Sequence, residues 1–292
     1  MNIRLLTITR TLILFTAIAL GAAGCSRTAA PELQVDTSEG AVQGTNEAGV
    51  ISFKGIPFAA PPIGELRWRA PQPPLKRQQL MLADQYGSFC AQPNTSLLWF
   101  ELTSSSEDCL TLNVWTTATG DSAKLPVMVW IHGGGYMQGS GNIPRLNSPA
   151  LASAGVVLVT INYRLNAFGF FAHPALSAAQ ANEAHANFGV LDAIASLQWV
   201  QENISGFGGD PNNITVFGES AGGAMVNNLL VSPLSEGLFH KAISQSPALG
   251  LAPDAMLDQR SGFLLSGEAM GEKLVAALDL DEESDPLTAL RA

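Results

Sequence analysis

The chain has 292 residues, 47% of them hydrophobic and 14% charged, which is enough to bury the core of one large α/β domain or two small ones. The composition does not resemble that of a disordered chain. The net charge of −10 argues against nucleic-acid binding, because a phosphate backbone is bound by a basic surface.

The first 24 residues are predicted to be a signal peptide. Two arginines precede a short apolar stretch, 11–20, which is too short to span a bilayer as a mature helix. The Ala-Ala-Gly-Cys segment that ends at Cys25 resembles a bacterial lipobox, in which the cysteine becomes the lipid-bearing terminus. We therefore expect an exported lipoprotein on the periplasmic or cell-surface side of a membrane, anchored through Cys25, with residues 25–32 as a tether. An ordinary secretory signal is the alternative.

Two further cysteines, Cys90 and Cys109, agree with export to an oxidising compartment. A bridge between them would close a loop of 19 residues and contribute about 3 kcal/mol on the loop-entropy model. Two buried free thiols are the alternative.

Strand patterns begin with residues 33–56, whose glycines indicate short antiparallel hairpins at a sheet edge. Residues 57–74 are rich in proline and are predicted to be an extended loop. Short apolar runs typical of strands buried on both faces follow. These runs are 125–131, 156–161, 214–217 and 242–244.

Helical patterns separate the later strands. One has apolar residues on a single face from Val190 to Val200, with Asn187 placed to cap it, and another covers 221–230. Alternating strands and helices predict an α/β domain over residues 33–292, with a mostly parallel central sheet and helices on both faces.

The segment 218–222 (Gly-Glu-Ser-Ala-Gly) matches the G-x-S-x-G pattern of a serine nucleophile. It lies between a predicted strand and a predicted helix, which is the context that the pattern requires. A serine at the apex of so tight a turn has a strained backbone, and the flanking glycines leave it room. Ser220 is therefore the predicted nucleophile; an ordinary glycine-rich turn is the alternative.

The segment 132–136 (His-Gly-Gly-Gly-Tyr) follows the predicted strand 125–131 directly. Acyl transfer needs N–H donors already aimed at the developing oxyanion, and consecutive glycines let backbone amides approach a substrate. The predicted donors are the amides of Gly134, Gly135 and Ala221. A phosphate-binding loop is disfavoured because no Lys-Ser or Lys-Thr follows the glycines, and a plain flexible turn is the other alternative.

Six collinear stretches resemble the type-B carboxylesterase and cholinesterase family. They are GIPFAAPPIGELRW (55–68), SEDCLTLNVW (106–115), VMVWIHGGGYMQGS (127–140), INYRLNAFGFF (161–171), NFGVLDAIASLQWVQENISGFGGDPNNITVFGESAGG (187–223) and GLFHKAISQS (237–246). The resemblance extends over most of the chain after the predicted tether. It implies an α/β-hydrolase fold.

The resemblance also implies three pairings between side chains. They are a disulfide between Cys90 and Cys109, an ion pair between Arg67 and Glu107, and an ion pair between Arg164 and Asp192. Buried charges of opposite sign must pair, because an unpaired buried charge is strongly destabilising. Solvated surface charge is the alternative for the ion pairs.

None of the four histidines, at positions 132, 173, 185 and 240, is predicted to be the catalytic base. In this fold the order is serine, acid, histidine; the first three histidines precede Ser220, and His240 follows it too closely to leave room for an acid. The resemblance implies that acid and base lie beyond residue 292. We therefore expect a fragment of a longer protein or a truncated gene product, with the carboxyl-terminal part of the domain absent and little or no activity of its own.

The predicted function is hydrolysis of small-molecule carboxylic esters through an acyl-enzyme at Ser220. No metal or organic cofactor is implied, since no cluster of His, Cys and carboxylate has ligand spacing. The alternative is a non-catalytic, membrane-tethered binding protein on the same scaffold.

Overall fold

A computed structural model describes residues 33–94, 102, 104–143, 149–247, 256–260, 265–278 and 286–291. These residues belong to a single unit, Pro31–Ala292. The predicted signal peptide (1–24), the predicted lipid attachment site Cys25 and the predicted tether (25–32) lie outside the described residues. Among the helices that are described, none has the length and apolar character needed to cross a membrane.

Short strands dominate the first half of the described chain, and helices alternate with strands in the second. The described strands are β1 (Gln34–Thr37), β2 (Gly40–Gln43), β3 (Thr45–Glu47), β4 (Val50–Pro57), β5 (Met81–Leu82), β6 (Phe89–Cys90), β7 (Ser105–Ser106), β8 (Thr111–Thr116), β9 (Leu125–Ile131), β10 (Val157–Ile161), β11 (Gly209–Glu219) and β12 (Lys241–Gln245). The described helices are α1 (Pro149–Ser153), α2 (Asn166–Phe170), α3 (Pro174–Ala179), α4 (Phe188–Asn203), α5 (Ala221–Val231), α6 (Gly267–Ala277) and α7 (Pro286–Arg291).

The main sheet joins seven of the described strands in the order β12-β11-β9-β10-β8-β4-β3. The strands from β12 to β10 pair in parallel, whereas β10-β8, β8-β4 and β4-β3 are antiparallel. The sheet is therefore mixed: the predicted parallel order holds for the half that contains β9, β10, β11 and β12, and the other half is antiparallel.

The predicted amino-terminal hairpins form, as two hairpins that belong to different sheets. The β3-β4 hairpin makes one edge of the main sheet, as predicted. The β1-β2 hairpin pairs with β5 in a separate small sheet.

Alternating side chains of the central strand β9 enter two different clusters. Val127, Val129 and Ile131 pack in the main core, to which α4 and α5 contribute apolar side chains. Trp130 points the other way, into a cluster that contains Ala152 of α1. Helices therefore cover both faces of the sheet, and the strand interiors are apolar on both sides because each face is buried.

Helix α4 begins where the sequence predicts, immediately after Asn187. The Asn187 carbonyl accepts hydrogen bonds from the amides of Val190 (2.9 Å) and Leu191 (3.1 Å). Its side chain makes no capping hydrogen bond. Asn187 thus occupies the predicted cap position, but it starts the helix through its backbone rather than its side-chain amide.

Candidate active site

Ser220 stands alone between the end of β11 and the start of α5. Its backbone has φ 57° and ψ −121°, a conformation that non-glycine residues rarely adopt and that costs on the order of 1–3 kcal/mol. Two backbone hydrogen bonds hold it there: Ser220 N donates to the Gln245 carbonyl of β12, and Ala224 N donates to the Ser220 carbonyl, both at 2.9 Å. We call residues 218–223 the elbow.

The glycines of the elbow are required because backbone packs directly against backbone. A Cβ added at Gly218 would lie 2.5 Å from the Gly222 carbonyl carbon and oxygen. A Cβ added at Gly222 would collide with the carbonyl oxygen of Ile131, at the end of β9. No side chain can move aside at either position, so the turn excludes any larger residue.

The glycine-rich segment 132–139, which we call the oxyanion loop, lies against the elbow. A Cβ added at Gly133 would come within 3.2 Å of the Ser220 Cβ and 2.6 Å of the Glu219 carbonyl oxygen. Gly134 and Gly135 have φ values of 110° and 66°, and Gly135 faces open space. The structure therefore brings the predicted nucleophile and the predicted donor loop into contact.

The three predicted donors have no acceptor in the described part of the protein. Within the described residues, the amides of Gly134, Gly135 and Ala221 donate to no protein group. Ala221 is the first residue of α5, where an amide has no partner inside the helix and the helix dipole favours negative charge. The Gly134 carbonyl, in contrast, is engaged by the amides of Met137 and Gln138 at 3.1 Å, which fixes the turn.

His132 supports the oxyanion loop from inside the protein. It is buried, its ring stacks on Tyr163 at 4.3 Å, and its Nδ1 lies 2.8 Å from the Gly133 carbonyl, to which it must donate. Burial lowers the pKa of His132 to about 4, so the ring is neutral near pH 7. The Tyr163 hydroxyl donates to the His132 carbonyl at 2.9 Å, and burial raises the pKa of Tyr163.

The other three histidines have structural partners. His173 caps α3 by accepting from Ala175 N at 3.2 Å, and His240 Nδ1 accepts from Ile214 N at 3.2 Å. His185 Nδ1 lies 2.9 Å from the Glu183 carbonyl. In the part of the chain that the structure describes, no histidine is hydrogen-bonded to Ser220.

The structure contains the disulfide and both ion pairs that the resemblance implies. Cys90 and Cys109 are joined with an S–S distance of 2.09 Å. Arg164 and Asp192 pair at 2.7 Å, with side chains 2% and 0% exposed. Arg67 and Glu107 pair at 2.6 Å nearer the surface, with side chains 18% and 20% exposed.

Two residues that the sequence reasoning missed hold the oxyanion loop. Gln92 bonds the backbone of Gly139, and Asn166 bonds the carbonyls of Tyr136 and Met137. Gln92 is 47 residues from Gly139 along the chain, so no local pattern could reveal the contact. The position of Asn166 inside a family-like stretch was the only available signal.

An apolar cleft of about 450 Å³ opens beside Gly135. Phe170 of α2 and Met270 and Leu274 of α6 contribute to its walls. Among the described residues, no group of three His, Cys, Asp or Glu side chains is arranged to hold a metal ion. The site therefore offers a serine, a set of amide donors and an apolar surface.

Residues 31–263 match the Carboxylesterase family. The chain is 50% identical over 218 residues to para-nitrobenzyl esterase of Bacillus subtilis (strain 168), covering 73% of this chain and 43% of the relative. It is 48% identical over 219 residues to fumonisin B1 esterase of Sphingopyxis macrogoltabida, covering 75% and 40%, respectively.

Solved structures give the same assignment. A PNB esterase structure superposes with a TM-score of 0.77 at 41% identity, covering 89% of this chain and 51% of that one. A Geobacillus stearothermophilus carboxylesterase gives 0.65 at 44% identity, covering 73% and 44%. The chain thus spans about two fifths of the length of the curated relatives it matches. It has the α/β-hydrolase fold of these esterases and belongs to the carboxylesterase family.

Proposed function

We propose that this chain carries the nucleophile and the oxyanion hole of a serine carboxylesterase that hydrolyses small-molecule carboxylic esters. The observation that supports the proposal is the close approach of Gly133 to Ser220, a strained serine at a helix start; the amides of the next two loop residues have no protein acceptor among the described residues. The family supports ester hydrolysis as the reaction class.

In the proposed mechanism, the Ser220 Oγ attacks the ester carbonyl carbon. The negative charge that develops on the carbonyl oxygen is stabilised by the amides of Gly134, Gly135 and Ala221. The C–O bond to the alcohol then breaks, the alcohol leaves with a proton, and water releases the acid from the acyl-enzyme.

The residue that takes the Ser220 proton is proposed to come from outside this chain, together with the carboxylate that orients it. The surroundings of the four histidines support this proposal. Each has a structural partner, and none is hydrogen-bonded to Ser220 within the described residues. The isolated chain should therefore turn over p-nitrophenyl acetate slowly or not at all. Turnover that depends on Ser220 and is as fast as that of an intact esterase would refute this part of the proposal.

The apolar cleft beside Gly135 is proposed to receive an apolar group of the ester. Its position next to a predicted oxyanion donor and its walls of Phe170, Met270 and Leu274 support this role. A substrate carbonyl held by the loop would place one of its two substituents over these side chains.

The sharpest test of the nucleophile is labelling with a fluorophosphonate that carries an alkyl chain, followed by peptide mapping. Labelling should occur at Ser220, slowly because the base is lacking, and should vanish in Ser220→Ala. The exposed Ser153, at the end of α1, provides the matched control: Ser153→Ala should label like the wild type. Equal labelling of wild type and Ser220→Ala would exclude a reactive elbow and favour a non-catalytic binding protein.

We also propose that the protein is exported and anchored to a membrane by lipid on Cys25, on the evidence of the sequence pattern alone. Metabolic labelling with a radioactive fatty acid in a bacterial host tests this. The wild type should incorporate label and fractionate with membranes, whereas Cys25→Ser should do neither. A labelled Cys25→Ser protein would contradict the assignment.

A further inference from the structure

We propose that Gln92 is a positioning residue for the oxyanion loop and that the Cys90–Cys109 disulfide is its anchor. The inference rests on the proposed function in one respect: holding the loop matters for chemistry only if Gly134 and Gly135 stabilise the oxyanion.

The Gln92 side-chain amide binds both backbone groups of Gly139, at the end of the oxyanion loop. Its Oε1 accepts from Gly139 N at 2.9 Å, and its Nε2 donates to the Gly139 carbonyl at 3.0 Å. The same Nε2 donates to the Cys90 carbonyl at 3.0 Å. A primary amide is suited to this task because it offers an acceptor and two donors at once.

Gly139 transmits this restraint to the start of the loop. Its φ is 115°, and an added Cβ would lie 2.5 Å from the Gly133 carbonyl oxygen and from His132 Nδ1. Gly133 in turn lies against Ser220. The path from Gln92 to the nucleophile therefore passes through close backbone contacts that cannot change without moving the loop.

The disulfide fixes the other end of this path. Cys90 and Cys109 are 2% and 0% exposed, and Gln92 is only two residues from Cys90. A second amide works in parallel: Asn166 Nδ2 donates to the Met137 carbonyl at 2.8 Å and lies 3.4 Å from the Ala91 carbonyl. Residues 90–92, which we call the disulfide segment, are thus connected to the oxyanion loop directly through Gln92 and indirectly through Asn166.

The test is hydrogen–deuterium exchange on the full chain, read for peptides that cover residues 132–140. Gln92→Ala removes the three Gln92 side-chain bonds, two of them to the loop, and should speed exchange in this segment by about tenfold or more. Gln92→Glu keeps the length but places a carboxylate oxygen about where Nε2 donates to the Cys90 and Gly139 carbonyls, so it should loosen the segment at least as much as Gln92→Ala. Segments that exchange through their own local openings should change little, and the free energy of unfolding in urea should fall by no more than the change in exchange implies, which is roughly 1.4 kcal/mol for each tenfold.

Gln201→Ala is the matched control, because the Gln201 amide also binds backbone carbonyls, those of Pro211 (3.0 Å) and Leu238 (3.1 Å), in a different place. It should leave segment 132–140 unchanged. Unaltered exchange in Gln92→Ala, or an increase spread evenly over the whole chain, would overturn the proposal.

The role of the disulfide is tested by the double variant Cys90→Ala/Cys109→Ala. It should loosen the same segment, and adding Gln92→Ala to it should have much less effect than in the wild type, because the two act in series. Fully additive effects would exclude the disulfide as the anchor.

Phosphonylation of Ser220 separates this inference from the proposed function. If both hold, Gln92→Ala loosens the loop and also slows labelling by about tenfold, and Gln92→Glu brings no recovery. A loosened loop with unchanged labelling would refute the oxyanion role of the loop but leave the positioning of the loop by Gln92 intact.

Discussion

The elbow and the oxyanion loop lie against each other, yet they are held in different ways. The elbow is fixed mainly by backbone packing: glycines at 218 and 222 let β11, α5 and the end of β9 approach within contact distance, and the Ser244 side chain adds one hydrogen bond to the Gly223 carbonyl at 2.9 Å. The oxyanion loop also has close backbone contacts, but in addition it depends on several hydrogen bonds from side chains elsewhere in the chain, namely Gln92, Asn166 and Tyr163.

This difference has a mechanical consequence. Direct packing of backbone against backbone tolerates no added side chain, because no change of rotamer can relieve a collision with a carbonyl group. Side-chain bonds can be lost one at a time, each at the cost of about 1 kcal/mol. Larger residues at Gly218 or Gly222 should therefore abolish the fold, whereas substitutions of the side chains that support the loop should give graded losses.

Gly222→Val should have the largest effect. The added side chain would meet the Ile131 and His132 carbonyl groups, so we expect a loss of more than about 5 kcal/mol, which leaves no folded protein. Circular dichroism and soluble yield measure this directly. Gly267→Ala, at the start of α6 where an added Cβ lies 3.3 Å from the Ala172 Cβ, is the control and should fold normally. A folded Gly222→Val protein would show that the elbow can relax, and the proposed difference between the elbow and the oxyanion loop would no longer hold.

Asp192→Asn should rank second. Asp192 accepts from the Arg164 backbone (3.0 Å), Nε (2.8 Å) and Nη2 (2.7 Å), so its loss leaves a buried, unpaired guanidinium. We expect a loss of about 3–5 kcal/mol in urea unfolding. Because Arg164 is two residues before Asn166, the oxyanion loop should also exchange faster. Asp121→Asn, at an exposed position, should change stability by less than about 0.5 kcal/mol. A similarly small loss in Asp192→Asn would mean that the pair is dispensable to the loop's support.

The buried His132 predicts a pH dependence of intermediate size. Its folded pKa of about 4 lies below the unfolded value of 6.5, so between these pH values the unfolded chain binds a proton that the folded chain does not. The loss of stability caused by His132 is absent above pH 6.5 and grows as the pH falls. It reaches on the order of 3 kcal/mol near pH 4.

His132→Asn isolates the contribution of His132 protonation to the pH dependence of stability, because the Asn amide can still donate to the Gly133 carbonyl. Many carboxylates also titrate in this range, so the quantity to measure is the difference between the stability–pH slopes of variant and wild type. Between pH 6.5 and 4 the variant's slope should be shallower by about one proton, and above pH 7 the two slopes should coincide. Equal slopes throughout would show that His132 is protonated as easily in the fold as in the unfolded chain.

The same contrast explains what the sequence could reveal. The elbow was predictable because its requirement is local: two glycines around a serine, a strand before and a helix after. The strands β9 and β10 and the 214–217 part of β11 were predictable because they are continuous apolar runs, whereas β12, with alternating exposed and half-buried residues, gave a weaker signal. The supports of the loop were not, since Gln92 and Gly139 are 47 residues apart and any surface glutamine would look the same. Even the split of the main sheet into parallel and antiparallel halves was hidden, because β8 is buried on both faces like a parallel strand.

Among these substitutions, Glu107→Gln should cause the smallest loss of stability that can still be measured. Glu107 holds Arg67 with two bonds, of 2.6 and 2.7 Å, but both side chains are about one fifth exposed and Arg67 keeps the Leu290 carbonyl as an acceptor. We expect a loss of about 1 kcal/mol in urea unfolding. Glu65→Gln is the comparison at an exposed ion pair, since Glu65 is 87% exposed and lies 3.4 Å from Arg291. The loss of stability should stay within about 0.5 kcal/mol. A loss for Glu107→Gln as large as that for Asp192→Asn would show that burial does not set the strength of these supports. Glu107 is two residues from Cys109, so hydrogen–deuterium exchange of the oxyanion loop is the more informative measurement. If the disulfide holds residues 90–92 without help from the Arg67–Glu107 ion pair, exchange over 132–140 should hardly respond to Glu107→Gln.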